Sequence, residues 1–385
     1  MRTLGFLVAV PLLAACRFGF QDQPDSQPPP AIDAPPPAVL ACGAPARFPM
    51  AKAPDFVTAT ATATGYNLIT SDAAGVHGFA YNFSGNTLVA ERGDVLLYSG
   101  VTGELSTIAN GEHSLVGVTS GMPKLNSTAV IALDGMLGML GTPATHDTWV
   151  GGLGSLARNS TGTVAFLGTK FGSAEVDAQV IADDGRASGP PHIVVPDGGA
   201  PTIAASGADF LVTWNAFNDM STKVHAAVHT LTSDSIVTKV GPQTIGSDPV
   251  NDAFNARGAY SAASDTYLFG WMQKPGNPLD HIWISLRDHD LNELAGMPKE
   301  VGTGNLPLVV AGADDYLVAW RIDGIRIGAA RVKPDGSVLP VPVEGTAQDA
   351  VGMDLVVRAG QPALVWIERD VNGGATVRFD PLCRP

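Results

Sequence analysis

Apolar positions in the second half of the chain gather into short runs that recur. Residues 209–214 read DFLVTW, residues 266–271 TYLFGW and residues 315–320 DYLVAW, with a shorter echo, ALVW, at 363–366. Each run predicts a strand. Phe210, Val212 and Trp214 would lie on one face and Leu211 and Thr213 on the other, so both faces are apolar or small. A sheet with water on one side alternates apolar with charged residues, whereas one sandwiched between neighbours need not. The four tryptophans stand 57, 49 and 46 residues apart. Similar steps backwards reach residues 163–168 (TVAFLG), 113–118 (HSLVGV) and 66–70 (YNLIT). That gives seven units, the first three degenerate.

After the tryptophan strand comes a polar loop and then a second apolar strand, at residues 223–230, 281–286 and 325–332. Asp-Gly pairs follow in several units, at Asp134 and Gly135, Asp184 and Gly185, and Asp335 and Gly336. Glycine there supplies the positive φ of a tight hairpin. The unit is therefore a meander of antiparallel strands, and forty to fifty residues is the period of a propeller blade. The predicted fold is all-β: a seven-bladed β-propeller of four-stranded blades filling residues 42–385. The last unit stops one strand short, at residues 375–379. The alternating Thr/Ala run at 56–64 is the expected strand that returns from the amino end to complete it.

Composition narrows the function classes. Twenty-three basic residues face 37 acidic ones in 385, a net charge of −14. Nucleic acid and anionic lipid surfaces select basic patches, so neither is an expected partner. Gly (44) and Pro (29) are abundant without collagen's three-residue period, which again favours many turns and no long helix.

Residues 1–16 read MRTLGFLVAVPLLAAC: one basic residue, an apolar stretch, then small residues ending in a cysteine. This is a secretory signal, too short to span a bilayer as a helix. Residues 13–16 (LAAC) resemble the lipobox of bacterial lipoproteins. That resemblance implies a signal peptide over 1–15, cleavage before Cys16 and acylation of Cys16. In that family an Asp after the cysteine favours inner-membrane retention; here it is Arg17, which implies a lipid anchor in the outer membrane, facing either the periplasm or the medium. Residues 16–41 then form a Pro-rich spacer with almost nothing to bury.

With Cys16 acylated, Cys42 and Cys383 remain, in a compartment that permits disulfides. They bracket the folded region, so a bridge between them requires its two ends to meet. A closed ring meets that requirement. The strings YLVAW, GAARV and DGSVL also look like repeats of secreted, propeller-type lipoproteins of Gram-negative bacteria, over roughly residues 200–370. The Trp-Asp ends of WD40 blades and the paired glycines of kelch blades are missing, so the resemblance carries no specific activity.

Chemistry is sparse. His225 and His229 share a strand without the glutamate base of the helical zinc-protease motif, and no Gly-x-Ser-x-Gly elbow occurs. The recurrent polar feature is the loop after each tryptophan strand, which offers Asp219, Asp280, Arg321, Asp323, Glu368 and Asp370. In a propeller these loops emerge on one face, so they are the expected binding rim. Residues 370–374 (DVNGG) only faintly resemble a calcium loop and lack its bidentate glutamate, so no cofactor is expected. The expected function is a lipid-anchored, non-enzymatic module of the cell envelope that binds a protein or glycan through this rim. The alternative is a polysaccharide hydrolase or lyase whose carboxylate pair comes from Asp219, Asp323, Glu368 and Asp370.

Overall fold

The computed structural model describes residues 44–382 apart from 101, 111–112, 121–127, 147–148, 151–155, 171–173, 219–220, 247–251, 275–279, 344–348 and 371. The signal peptide, Cys16, the spacer, Cys42, Cys383 and Asp219 lie outside the described residues.

Every one of the seven sequence units becomes an antiparallel sheet, and the recurrent apolar run is always its second strand. Those strands are Gly65–Asp72, His113–Ser120, Val164–Lys170, Asp209–Asn218, Thr266–Gln273, Tyr316–Ile322 and Gln361–Arg369. The first strands of the blades are Phe56–Ala61, Thr102–Asn110, Leu156–Arg158, Gly199–Ser206, Ala253–Ser261, Asn305–Ala311 and Asp349–Arg358. Each touches its counterpart in the next blade, and together they line a central cavity. In the third blade this inner position is shared with the two-residue strand Trp149–Val150, which pairs with the same second strand.

The ring is closed. Among the described residues the buried apolar side chains form seven clusters, each drawn chiefly from two adjoining blades. An open row of seven blades has six interfaces, so the seventh cluster, in which Val57, Tyr66 and Leu68 meet Val365, Val377 and Phe379, joins the last blade to the first. Both faces of the second strands are buried, as the pattern predicted: Phe210, Leu211, Val212 and Thr213 are all nearly inaccessible.

One expectation is corrected. The last blade is completed from the amino end, but by Ala46–Met50, which pairs along Ala375–Asp380 from Ala46 opposite Phe379 to Met50 opposite Ala375. The Thr/Ala run instead forms the inner strand Phe56–Ala61 of the first blade. Its small, alternating side chains suit a strand crowded against the channel. Ala46–Met50 (ARFPM) carries a proline and two exposed side chains, which an outermost strand tolerates.

The tryptophans are interlocks between blades. Trp214, Trp271 and Trp320 are all 5% exposed or less, and each lies against a glycine at the end of the preceding blade. A Cβ built on Gly198, Gly246 or Gly302 would stand 2.7, 2.7 and 2.6 Å from the indole of Trp214, Trp271 and Trp320 respectively. The tyrosine at the start of the second strand makes a parallel link. Tyr267 reaches the hydroxyl of Ser206 at 2.5 Å, and Tyr316 reaches that of Thr266 at 2.9 Å, each on the blade before.

Candidate functional site

The predicted rim residues do not share one environment. Arg321 lines the axial cavity, where its Nε donates to Oδ1 of Asn305 at 3.1 Å. Asp323 sits in the exposed turn after the second strand of blade six, with φ 47°, and pairs with Arg326 at 2.8 Å. That hydrogen bond holds its carboxyl below the ordinary range. Glu368 is buried within blade seven, where Nη1 of Arg378 donates to its Oε2 at 3.4 Å. Asp370 caps its own hairpin, accepting the amides of Asn372 and Gly374 at 2.8 Å each. Asp280 is half-buried, and its carbonyl accepts the amide of Gly304 at 2.7 Å. Each of these groups is held within its own blade or by the blade's connection to the next.

His225 and His229, four positions apart on the strand Ser221–Leu231, are likewise absorbed by packing. His225 stacks on Trp214 at 5.7 Å, and His229 is buried with Nδ1 3.3 Å from the Thr238 hydroxyl.

A second set of charges converges on the axis, from the inner strands. Blades four to seven each carry a β-bulge there, marked by a left-handed residue: Ala200, Asn255, Leu306 and Gly352, with φ between 45° and 52°. A bulge inserts one residue and re-aims the side chains after it. Two positions beyond the bulge, Arg257 of blade five and Asp354 of blade seven both line the cavity, as does Glu104 of blade two.

Asp354 is densely solvated by protein. Its Oδ2 accepts the Thr58 hydroxyl at 2.5 Å and the Ala59 amide at 3.3 Å, and its Oδ1 accepts the Leu355 amide at 2.8 Å. Thr58 also lies 2.7 Å from the hydroxyl of Thr107, which bonds the Ala59 carbonyl at 3.0 Å. Blades seven, one and two are thereby joined beside the channel. Burial raises the Asp354 carboxyl above the ordinary carboxylate range despite these donors and the attraction of Arg257. Burial also pushes the Arg257 guanidinium down to about 10, opposed by Glu104 and Asp354. Both side chains keep some surface on the cavity while protein surrounds them, so the water they see is that of the channel rather than bulk solvent.

The cavity holds about 920 Å³. Besides the charges it presents the hydroxyls of Thr58, Ser106, Thr107 and Thr202, set among aliphatic side chains. Sequence reasoning missed this set because it followed the loops. The available signal was a charged residue inside the first strand of a unit, as at Glu104, Arg257 and Asp354.

No protein-family model matches the sequence, and neither does any curated protein. Among solved structures the chain is similar to the WD40 domain of Toxoplasma gondii coronin, with a TM-score of 0.52 and 7% identity over 88% of this chain and 86% of that one. It is also similar to the AfRom2 CNH domain, with a TM-score of 0.48 and 8% identity over 88% of this chain and 97% of that one. The coronin likeness is one of fold alone: the chain is a β-propeller.

Proposed function

We propose that the protein is a lipid-anchored, non-enzymatic β-propeller of the bacterial cell envelope that binds a protein or glycan partner through one propeller face. The lipobox over residues 13–16 and the spacer over 16–41 support the anchor and the outer-membrane location. The observation that carries the binding reading is the rigidity of the polar groups after the second strands. Asp323 is fixed by Arg326 and Asp370 by two backbone amides of its own hairpin. A preformed polar surface loses little ordering entropy when a partner docks.

The hydrolase reading draws less support. A general acid needs a raised pKa, yet Asp323 is held low, and Glu368 is bonded to Arg378 inside its blade.

The test is retention of envelope fractions by the purified protein and by its Asp323→Ala and Asp370→Ala variants. Loss of the same retained species from both variants, with unchanged circular dichroism, supports the reading. Retention that is indifferent to both variants overturns it. Incorporation of labelled palmitate that disappears in Cys16→Ala tests the anchor.

A further inference from the structure

The axial cavity, at about 920 Å³, lies within the roughly 300–1,000 Å³ of small-molecule sites. On its lining two carboxylates, Glu104 and Asp354, balance two guanidiniums, Arg257 and Arg321, while Asp55 is answered by Arg369 at 2.8 Å. The partners are unevenly shared. Arg257 is attracted by both Glu104 and Asp354. Arg321 has a neutral partner instead: its Nε donates to Oδ1 of Asn305 at 3.1 Å, its one hydrogen bond among the described residues.

Asn305 and Arg321 stand directly opposite each other across the first two strands of blade six, just before the bulge at Leu306. Arg321 therefore serves the end of the channel where the inner strands begin, whereas Arg257 and Asp354 lie two positions beyond the bulges of their own strands. The bond at Nε fixes the plane of the Arg321 guanidinium and leaves both Nη groups uncommitted. A planar fork of this kind matches a carboxylate with two parallel hydrogen bonds. The side chain is half-buried, so an anion would be met where the site still keeps contact with water and the desolvation cost is smaller than in the interior. Leu308 and Ile327 of the same blade and Val351 and Met353 of the next line the cavity with aliphatic surface.

We propose that the axial cavity is a binding site for a small aliphatic monocarboxylate, gripped end-on by the two Nη groups of Arg321 while its hydrocarbon chain lies on that surface. A phosphate, with its second charge, suits the site less: Glu104 and Asp354 line the same cavity, and the chain carries a net charge of −14. The site rests on the cavity and not on the turns at Asp323 and Asp370, and stands whether or not the partner-binding reading does.

The test is calorimetric titration of the full chain with sodium 4-methylpentanoate, with 4-methylpentanamide as the uncharged control. The expected result is saturable binding of the acid alone, weakened at least about tenfold in Arg321→Gln, the scale of losing a charge partner at a binding site. Arg321→Lys, which keeps the charge but not the fork, is the second variant should Arg321→Gln fail to fold, and it is expected to weaken binding likewise. Lys333→Gln, which removes an exposed charge outside the cavity, is expected to leave binding unchanged. Five results overturn the proposal: no saturable heat at millimolar ligand, affinity indifferent to both Arg321 variants, the amide binding as tightly as the acid, inorganic phosphate binding more tightly than the acid, or displacement of the acid by an equal concentration of potassium chloride.

Discussion

The hydroxyl of Thr58, on the inner strand of the first blade, donates to the carboxylate of Asp354, on the inner strand of the last, at 2.5 Å. These residues are 296 positions apart, so the bond exists only when the ring is shut. Replacing Thr58 by Val removes the donor while keeping the shape. A hydrogen bond to a charged or buried group contributes about 1–3 kcal/mol. Thr58→Val is expected to lower unfolding free energy by that amount in urea titrations, and a variant as stable as the parent would refute the closure role.

Asp354 also sets a pH dependence. Its carboxyl is raised in the fold, so its contribution is fully present below the unfolded carboxylate range and is lost as pH rises through the folded value. Asp354→Asn is expected to remove that falling component from a plot of stability against pH. An identical slope in parent and variant would contradict the burial argument.

His229 acts with the opposite sign. Burial lowers it from 6.5 to about 4, so the stability it confers is present above pH 6.5 and is lost as the pH falls through about 4. A shift of that size corresponds to about 3 kcal/mol. Stability curves of the parent and His229→Gln should converge toward low pH, and an NMR titration placing His229 near its ordinary value would contradict this.

The Trp interlocks predict intolerance of one methyl group. A Cβ at Gly246 would stand 2.7 Å from the ring of Trp271, which is 1% exposed and cannot yield. Overpacking of this kind costs about 1–3 kcal/mol. Gly246→Ala is expected to lower the thermal midpoint, whereas Gly241→Ala, with nothing within 4 Å of its Cβ, is expected to leave it unchanged.

The cysteine pairing can be weighed against the seam. The seam pairing ends at Ala46 opposite Phe379, and Cys42 and Cys383 lie outside the described residues on either side of it. The prediction is a mass lower by two hydrogens than the reduced chain, with reduction costing about 2–5 kcal/mol of stability. Free thiols at both positions in the exported protein would refute the pairing.

Blade number and strand order were legible because the second strand of each unit is buried on both faces and spells that burial plainly, as in DYLVAW at 315–320. The seam was misread for a physical reason. An outermost strand such as Ala46–Met50 is half exposed and includes Pro49, so it lacks the pattern that identifies a strand, while the Thr/Ala run that has the pattern serves the channel. The axial charges showed in the sequence only as charged residues inside first strands; their convergence did not, because it depends on bulges at Asn255 and Gly352 and on residues from blades far apart in sequence. In the loops, Asp370 shows how a residue suited to a rim in the sequence serves its own hairpin in the fold.

The strand that shuts the ring is also the first described strand of the chain, and its partner Ala375–Asp380 is the last. Any pull on the amino terminus is therefore delivered first to that five-pair ladder and to the contact Phe48 makes with Tyr81 of the first blade at 4.0 Å. The seam is the mechanical fuse of the molecule: under tension it would let go as a unit, leaving six blades still stacked and a seventh short of its outer edge.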